Sequence, residues 1–346
     1  MTLSPLSVFL LLAIPLAAAF GIDLWRGDPP EGTRRERYYP PVLVGRMGQW
    51  WDRQVRRGDP GHERRMGVIG WLLVILPPVL LSLLLLRALV PIGSTSGGLL
   101  GAPGPLFTAL PGPREVVALG GLFLYFVLVA LWVKSLFTVR GLIVYTHRAL
   151  DASGDARRRA VSAVVNRPTE GLEDPLLLSA MVETSVENAT DSVVAPFLAY
   201  ALVGLPGLVA YRTINTLDAL WGHPEGPYRH FGWFAARVDH YVNLFPDMFT
   251  ALALGLLGGA WSQPPPRLEM NEGGSTPPHT IRMAARILGV RLEKRGSYVL
   301  GADRRAPREG DVRRTLRLVQ ATSFLALGIS LAIMGGLAYV GWAYGI

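Results

Sequence analysis

The sequence predicts an all-α integral membrane protein, and three long apolar runs support this fold class. Residues 68–90 contain one charged side chain, Arg87, residues 116–139 contain only Lys134, and residues 319–345 contain none. Each run exceeds the ~20 apolar residues that a helix needs to cross a bilayer. Half of the 346 residues are apolar, and the mean hydropathy is +0.31. We therefore expect about four firm transmembrane helices, cytoplasmic helical segments and a single domain over residues 1–346.

The N-terminal run, residues 3–22, is predicted to be the first of these four spans. A cleaved signal peptide is the alternative, because the alanines at 17–19 resemble a cleavage site. A signal peptide normally begins with basic residues, and this run has none before its apolar stretch. We therefore favour a retained span.

Two further apolar runs are predicted to be short or broken membrane-embedded helices. Residues 193–214 contain Pro196, Gly204 and Pro206, and residues 248–261 are few for a full span. Runs of 10–14 apolar residues are typical of buried or re-entrant helices. Broken backbone is tolerated at membrane depth where it lines a protein cavity.

Arginine is distributed unevenly between the predicted spans. Residues 26–65 hold ten arginines, whereas residues 91–115 hold only Arg114, and the segments 140–192 and 263–317 are again arginine-rich. Basic loops stay on the cytoplasmic side, which predicts a multi-pass plasma-membrane protein whose polar motifs face the cytoplasm. The net charge of +8 is then explained by this topology and by the anionic headgroups of the lipid bilayer, which attract basic segments. The sequence contains no basic run interleaved with aromatic residues, and so it does not predict a nucleic-acid partner.

The absence of cysteine excludes several classes of site. Disulfides, zinc thiolate sites, iron–sulfur clusters and cysteine nucleophiles all require that residue, and the chain has none. The sequence also lacks the phosphate-binding pattern G-x-x-x-x-G-K-[ST] and the zinc-binding pattern H-E-x-x-H. The sequence therefore predicts neither a P-loop nor a zinc site of this pattern.

Three acids recur at a spacing of four just before the run at 193–214. They are Glu183, Glu187 and Asp191, with Asn188 beside them. On a helix they would share one face and repel each other by about 0.2–0.5 kcal/mol per pair. One interpretation is a solvated helix end. The other is a cavity that binds a cation or a Mg²⁺-bound phosphate, since Mg²⁺ takes one or two carboxylates together with phosphate oxygens.

Several polar motifs occur in one order along nearly the whole chain. They are GDPP at 27–30, VETSVENATDSVVAP at 182–196, YRTINTLDALWG at 211–222, YRHFGWFAARVDHYVNLFP at 228–246, EMNEGG at 269–274 and LGVRLEKRGSYVLG at 288–301. This series resembles the CobD/CbiB family of cobalamin biosynthesis, the membrane-bound adenosylcobinamide-phosphate synthases. The core E-x-x-x-E-N-x-x-D, followed by N-T-x-D and A-R-x-D, is the most specific part of the resemblance.

The resemblance implies an ATP-dependent ligase that joins an amino-alcohol phosphate to adenosylcobyric acid, with Mg²⁺. It also implies other membrane proteins of corrinoid assembly as partners. The residues it assigns to catalysis are Glu183, Glu187, Asp191 and Asp239, of which the first three are also metal ligands and are expected to have Arg237 nearby. The residues it assigns to substrate or phosphate binding are Asp28, Arg167, Asn188, Asn215, Asp218, Arg237, Asn243 and Asn271.

The chain departs from the family pattern at four positions where the family carries polar residues. These positions are occupied by Pro40, Pro168, His240 and Met248. The departures leave open a non-enzymatic or signalling membrane protein similar to AmpE, or a ligase for a different amine. A small transporter would fit the apolar runs, but it would not explain the long arginine-rich segments.

Overall fold

A computed structural model describes residues 4–29, 32–101, 113–165, 167–223, 226–271 and 274–344. Side-chain environments are described within these ranges except at 88–101, 113–118 and 226. The helices are α1 (Pro5–Arg26), α2 (Pro40–Val55), α3 (Pro60–Gly101), α4 (Pro113–Lys134), α5 (Arg140–Asp151), α6 (Gly154–Ser162), α7 (Asp174–Ala189), α8 (Ala195–Trp221), α9 (Trp233–Gly258), α10 (His279–Leu288) and α11 (Glu309–Tyr344). The strands are β1 (Leu268–Met270), β2 (Leu292–Lys294) and β3 (Tyr298–Leu300).

The all-α membrane fold is confirmed. Within the described residues, five helical stretches are long and apolar enough to cross a membrane, and a shorter apolar stretch covers Leu119–Lys134. The five are Pro5–Arg26, Pro60–Arg87, Asp174–Trp221, Trp233–Gly258 and Glu309–Tyr344. All four predicted spans fall on these helices or on α4. Helix α3 continues to Gly101, into the predicted external loop 91–115, and residues 102–112 of that loop lie outside the described residues.

The helix predicted over 193–214 is broken where the sequence indicates. A π-helical turn, Thr190–Val194, joins α7 to α8. Within α8, Gly204 has φ 72° and ψ −158°, a conformation that a helix does not contain and that glycine adopts without steric cost. Pro206 follows and has no N–H to donate. The break therefore has a local cause in the sequence.

The prediction of a short helix over 248–261 is wrong in its bounds. Those residues form only the second half of α9, which is a continuous helix of 26 residues. The run 228–246 before it is rich in polar and aromatic residues. The first half of α9 therefore lacks the apolar pattern that predicts a membrane helix. Helix α9 ends at Gly258 because Gly259 adopts the left-handed conformation, φ 69° and ψ 40°.

The chain forms two compact units. The first unit comprises Met1–Phe137, Pro196–Tyr241 and Leu327–Ile346, and the second comprises Thr138–Ala195 and Val242–Ala326. The single domain predicted over residues 1–346 stays a prediction.

In the first unit, α4 packs against α1 and α3, and α2 packs against α3. A core of this unit brings together Val44 of α2, Val74 of α3, and the buried rings of Trp221 and Phe231. The two rings meet edge to face at a centroid distance of 5.0 Å. The segments that carry the GDPP, YRTINTLD and AARVD motifs all belong to this unit.

In the second unit, α7 is the central helix. Helices α5, α6 and α10 and strand β2 all contact it, and most of its residues between Leu177 and Ala189 are buried. The three strands form an antiparallel sheet in the order β1-β3-β2, with Leu292 opposite Leu300. Strand β2 contacts α7 and pairs with β3. The β2–β3 hairpin is therefore held against this helix.

Candidate functional site

Glu183 forms the centre of a buried polar cluster in the second unit. Arg167 donates from Nη1 to Oε2 at 3.1 Å and from Nη2 to Oε1 at 3.4 Å. The hydroxyl of Ser179 donates to Oε1 at 2.6 Å, and that of Tyr298 donates to Oε2 at 3.0 Å. With 4% of its surface exposed, this carboxylate has a full set of donors, as a buried charge requires.

The cluster is assembled from three separate segments of the chain. Ser179 and Glu183 are one helical turn apart on α7 and so share a face. The N–H of Glu293 donates to the Ser179 hydroxyl at 2.8 Å, which fixes β2 against α7. Tyr298 begins β3, and burial together with the nearby carboxylates raises its pKa far above the usual value. Tyr298 therefore stays protonated and keeps donating its hydrogen bond.

Glu187, the second acid of the predicted series, is half-buried one turn beyond Glu183 on α7. Lys294 and Arg167 are close enough to act on it favourably, and Glu183 and Asp247 act on it unfavourably. Unlike Glu183, Glu187 is not the centre of a described set of donors. The carboxylate therefore lies within electrostatic range of the carboxylates Glu183 and Asp247 and of the cations Lys294 and Arg167.

The three predicted metal ligands do not form a ready-made metal site. No group of three or more histidine or acid side chains able to hold a metal occurs among the described residues. Glu183 does not fit as a ligand, because Arg167, Ser179 and Tyr298 already occupy its oxygens. The π-turn that starts at Thr190 interrupts the regular α-helical spacing on which the predicted position of Asp191 depends.

A Mg²⁺ ion that is held mainly by phosphate oxygens places smaller demands on the protein. Such an ion needs only one or two carboxylates. Glu187 fits this role, because it is half-buried and the cations Lys294 and Arg167 act on it favourably. The metal assignment of Glu187 and Asp191 stays a prediction.

Asp247 occupies the N-terminus of α10 rather than the polar cluster itself. Its Oδ2 accepts from the N–H of His279 at 2.9 Å and contacts the His279 Nδ1 at 2.8 Å, and its Oδ1 accepts from the N–H and hydroxyl of Thr280 at 3.2 and 2.9 Å. A carboxylate at a helix N-terminus satisfies free N–H groups and complements the helix dipole. Asp247 thus ties α9 to α10.

The remaining predicted residues of the second unit have simpler surroundings. Asn188 and Asn243 are half-buried on α7 and α9. The backbone N–H of Asn271 donates to Ser297 and its carbonyl accepts from Gly274, each at 2.9 Å, and the residue is exposed. Asn271 therefore shapes a turn. Residues 272–273 of the predicted N-x-G loop lie outside the described residues, as does Asn166 before Arg167.

A second charged cluster lies in the first unit, around Lys134. Its ammonium is 2.9 Å from Asp23 and 2.7 Å from Asp28. The hydroxyl of Tyr39 donates to the same oxygen of Asp28 at 2.7 Å. Burial and the two aspartates raise the pKa of Tyr39, so it remains a donor. Asp28, predicted to bind substrate, is thus in an ion pair with a cation of the protein.

Four further predicted residues lie in the first unit. Asn215 accepts a 2.9 Å hydrogen bond from Nη1 of Arg212. Asp218 and Asp239 are half-buried and close enough to repel each other. Arg237 is exposed, with its guanidinium 5.8 Å from the centre of the Trp233 ring. Within the second unit, Arg167 and Lys294 are cations next to the acids of α7, and the place of Arg237 beside those acids stays a prediction.

The four departures from the family pattern lie in different surroundings. Pro40 begins α2 and lines a cavity of the first unit. Pro168 and His240 are exposed. Met248 is 57% exposed and lines a smaller cavity of about 300 Å³ in the second unit. None of these four side chains belongs to the cluster around Glu183.

Sequence reasoning missed Ser179, Tyr298, Lys294 and Lys134 as members of the polar clusters. Lys294 and Tyr298 lie within the motif LGVRLEKRGSYVLG. This motif contributes to the family resemblance, but the resemblance assigns no role to either residue. Their signal is the hairpin pattern, in which short strands flank a glycine-containing turn. Lys134 had the clearer signal, since an isolated charge in a membrane helix calls for a partner.

Comparison with known proteins supplies an independent result. The family described as CobD/Cbib protein matches residues 16–325. A probable cobalamin biosynthesis protein CobD of Pyrococcus furiosus is 32% identical over 94% of this chain and 99% of its own length. The corresponding protein of Methanothermobacter thermautotrophicus is 31% identical over 96% and 98%, and the cobalamin biosynthesis protein CobD of Chromobacterium violaceum is 30% identical over 92% and 96%. No solved structure matches.

Proposed function

Because the chain belongs to the CobD/CbiB family of cobalamin biosynthesis proteins, we propose that it is the ligase that builds adenosylcobinamide phosphate. The reaction joins the amine of an amino-alcohol phosphate to the free propionate of adenosylcobyric acid and consumes ATP. The observation that supports this proposal is the surroundings of Glu187, a half-buried carboxylate one helical turn from Glu183 and within electrostatic range of Lys294 and Arg167.

The chemistry explains why such a site needs phosphate-binding groups. A carboxylate is a poor acyl donor, because its leaving group would be oxide. Transfer of the γ-phosphoryl group of ATP to the carboxylate oxygen gives an acyl phosphate and ADP. The amine then attacks the carbonyl carbon, phosphate leaves with the C–O bond electrons, and the amine loses a proton to a base.

The second unit carries residues suited to the nucleotide. Lys294 is exposed at the end of β2, so its ammonium can meet a phosphate of ATP without breaking the cluster. Arg167 uses two of its donors on Glu183 and holds the cluster in shape. Glu187 and Asp191 would hold Mg²⁺, which would supply positive charge to stabilise the phosphates during transfer. Glu183 then serves as support for these groups.

The first unit carries candidates for the corrinoid and the amine. Asn215 and Asp218 lie on α8, and Arg237 and Asp239 lie on α9. Amide side chains suit the amides of a corrin periphery, and an exposed guanidinium suits a phosphate. Asp239, half-buried near Asp218, is the candidate base for the amine.

We propose a plasma-membrane location with the polar motifs on the cytoplasmic side. The arginine-rich segments 26–65, 140–192 and 263–317 support this orientation through the positive-inside rule. The chain has no cysteine, so a single cysteine can report the side of the membrane. Labelling of a cysteine placed at Arg295 by an impermeant reagent from outside intact cells would contradict the orientation.

The direct test of the function is a reaction with purified components. The full chain in detergent receives adenosylcobyric acid, ATP, Mg²⁺ and aminopropanol phosphate, and the product is identified by mass spectrometry. The proposal predicts adenosylcobinamide phosphate together with ADP in equal amounts. Formation of the product without ATP would contradict the proposal, as would the absence of product when the corrinoid still binds. A parallel reaction with unphosphorylated aminopropanol tests a different amine substrate.

A further inference from the structure

The first unit contains an open cavity of about 720 Å³ with largely apolar walls. Helices α2, α3, α4 and α8 contribute to it, and Val44, Leu81, Leu131 and Val209 are among its apolar residues. A volume of this size is within the range of small-molecule sites. The lining residues determine which kind of ligand the cavity can bind.

The three serine and threonine hydroxyl groups that line the cavity are already bonded to nearby backbone carbonyls. Ser135 donates to the carbonyl three residues earlier at 2.6 Å. Thr213 and Thr216 donate to the carbonyls four residues earlier at 2.8 and 2.7 Å. A ligand with many hydrogen-bonding groups would therefore lose its hydration without receiving these hydroxyls as donors.

The ionisable groups at the wall have hydrogen-bonding partners within the protein. Tyr39 donates to Asp28, which is held by Lys134, and Arg212 donates to the neutral amide of Asn215. Since Asp28 and Lys134 offset each other's charge, the wall beside Tyr39 favours a neutral apolar group over a second ion. The lining therefore selects hydrocarbon.

The mouth of the cavity is apolar as well. Leu81 is 58% exposed and Leu131 is 52% exposed. Leu81 lies on a helical stretch that is long and apolar enough to cross a membrane, and Leu131 lies on the shorter apolar stretch Leu119–Lys134. Tyr38, 77% exposed, also lines the cavity. The segment around it carries four exposed arginines, which are Arg34, Arg35, Arg37 and Arg46. Arginines beside an apolar opening are complementary to an anionic lipid headgroup.

We propose that this cavity binds one acyl chain of an anionic phospholipid, with its phosphate at the arginines beside Tyr38. The apolar walls hold the chain, and the charge of the flanking segment selects the headgroup. None of the residues around Glu187 takes part in this site, whereas two of its lining residues, Tyr39 and Arg212, bond to the substrate candidates Asp28 and Asn215.

The test is native mass spectrometry of the delipidated full chain in detergent, titrated with phosphatidylglycerol or with phosphatidylcholine of the same chains. Leu81→Trp narrows the mouth, and Leu84→Trp is the matched control, since Leu84 lies on the same helix, is 64% exposed and does not line the cavity. Leu81→Ala keeps the cavity open, and thermal unfolding of each variant checks the fold.

We expect one tightly bound phosphatidylglycerol, with affinity reduced about tenfold by Leu81→Trp and unchanged by Leu84→Trp and Leu81→Ala. The double variant Arg37→Gln and Arg46→Gln should remove the preference over phosphatidylcholine. Equal lipid binding by the two tryptophan variants would overturn the proposal. So would displacement of the lipid by adenosylcobyric acid, which would assign the cavity to the substrate.

Discussion

Arg167→Met tests whether the Glu183 cluster is a structural support. The substitution removes two of the four hydrogen bonds to a carboxylate that is 4% exposed, and it removes the paired cation. Breaking a buried ion pair costs about 3–5 kcal/mol. Because Arg167 itself keeps 16% of its side chain exposed, we expect the lower end, about 3 kcal/mol, in the free energy of unfolding.

The assay is unfolding of the purified chain in mixed micelles by sodium dodecyl sulfate. Arg313→Gln is the matched control, since this arginine pairs with Asp151 at 3.0 Å in the same unit with both side chains well exposed. Its loss should cost below about 1 kcal/mol. Adding Glu183→Gln to Arg167→Met should restore most of the lost stability, because no unpaired charge then remains buried.

Two results would refute this reasoning. The first is a cost for Arg167→Met no greater than that of Arg313→Gln. The second is a double variant that is less stable than Arg167→Met alone. Either result would mean that Glu183 reaches water or another cation, and the carboxylate would again be a candidate metal ligand.

Three other substitutions test the packing and charge of the fold. Lys134→Met leaves two aspartates without their cation and should cost about 3–5 kcal/mol in the same unfolding assay, whereas a loss below about 1 kcal/mol would show that the aspartates are hydrated. Gly67→Ala places a Cβ 1.9 Å from the carbonyl oxygen of Phe231 and should lower the free energy of unfolding by about 1–3 kcal/mol. The control Gly45→Ala meets no atom within 4 Å and should leave the stability unchanged or raise it. Equal effects of the two substitutions would refute the close contact. Asp247→Ala should cost about 0.5–2 kcal/mol through the N-terminus of α10, and faster hydrogen exchange confined to that helix would identify the cause.

The sequence predicted the membrane fold well, because long apolar runs report directly on the bilayer. The break at Gly204 was also foreseen, since glycine and proline act locally on the backbone. The length of α9 was not, because its first half carries Arg237, Asp239 and His240 and looks like a polar loop. Helices that combine a polar half with an apolar half escape a search for apolar runs.

The candidate site was predicted in part. The helical spacing correctly placed Glu183 and Glu187 one turn apart on α7. It could not distinguish them, because the difference comes from Tyr298, which is 115 residues away along the chain and approaches only when the β2–β3 hairpin packs on α7. Sequence reasoning also assigned no role to Lys294 beside these acids, because a motif gives the order of residues along the chain and not their distances in space.

The central claim is that the surroundings of Glu187 form the reactive site, and Glu187→Gln tests it most directly. This change keeps the shape of the side chain and removes repulsion with Glu183, so stability in detergent should be unchanged or slightly higher, by a few tenths of a kcal/mol. Turnover of adenosylcobyric acid to adenosylcobinamide phosphate should fall by about 100-fold or more, because about 2.7 kcal/mol or more of electrostatic stabilisation is lost. Stability and turnover are measured on the same preparation. Unchanged turnover with unchanged stability would contradict the claim, and a loss of folding would show that Glu187 is part of the structural cluster instead.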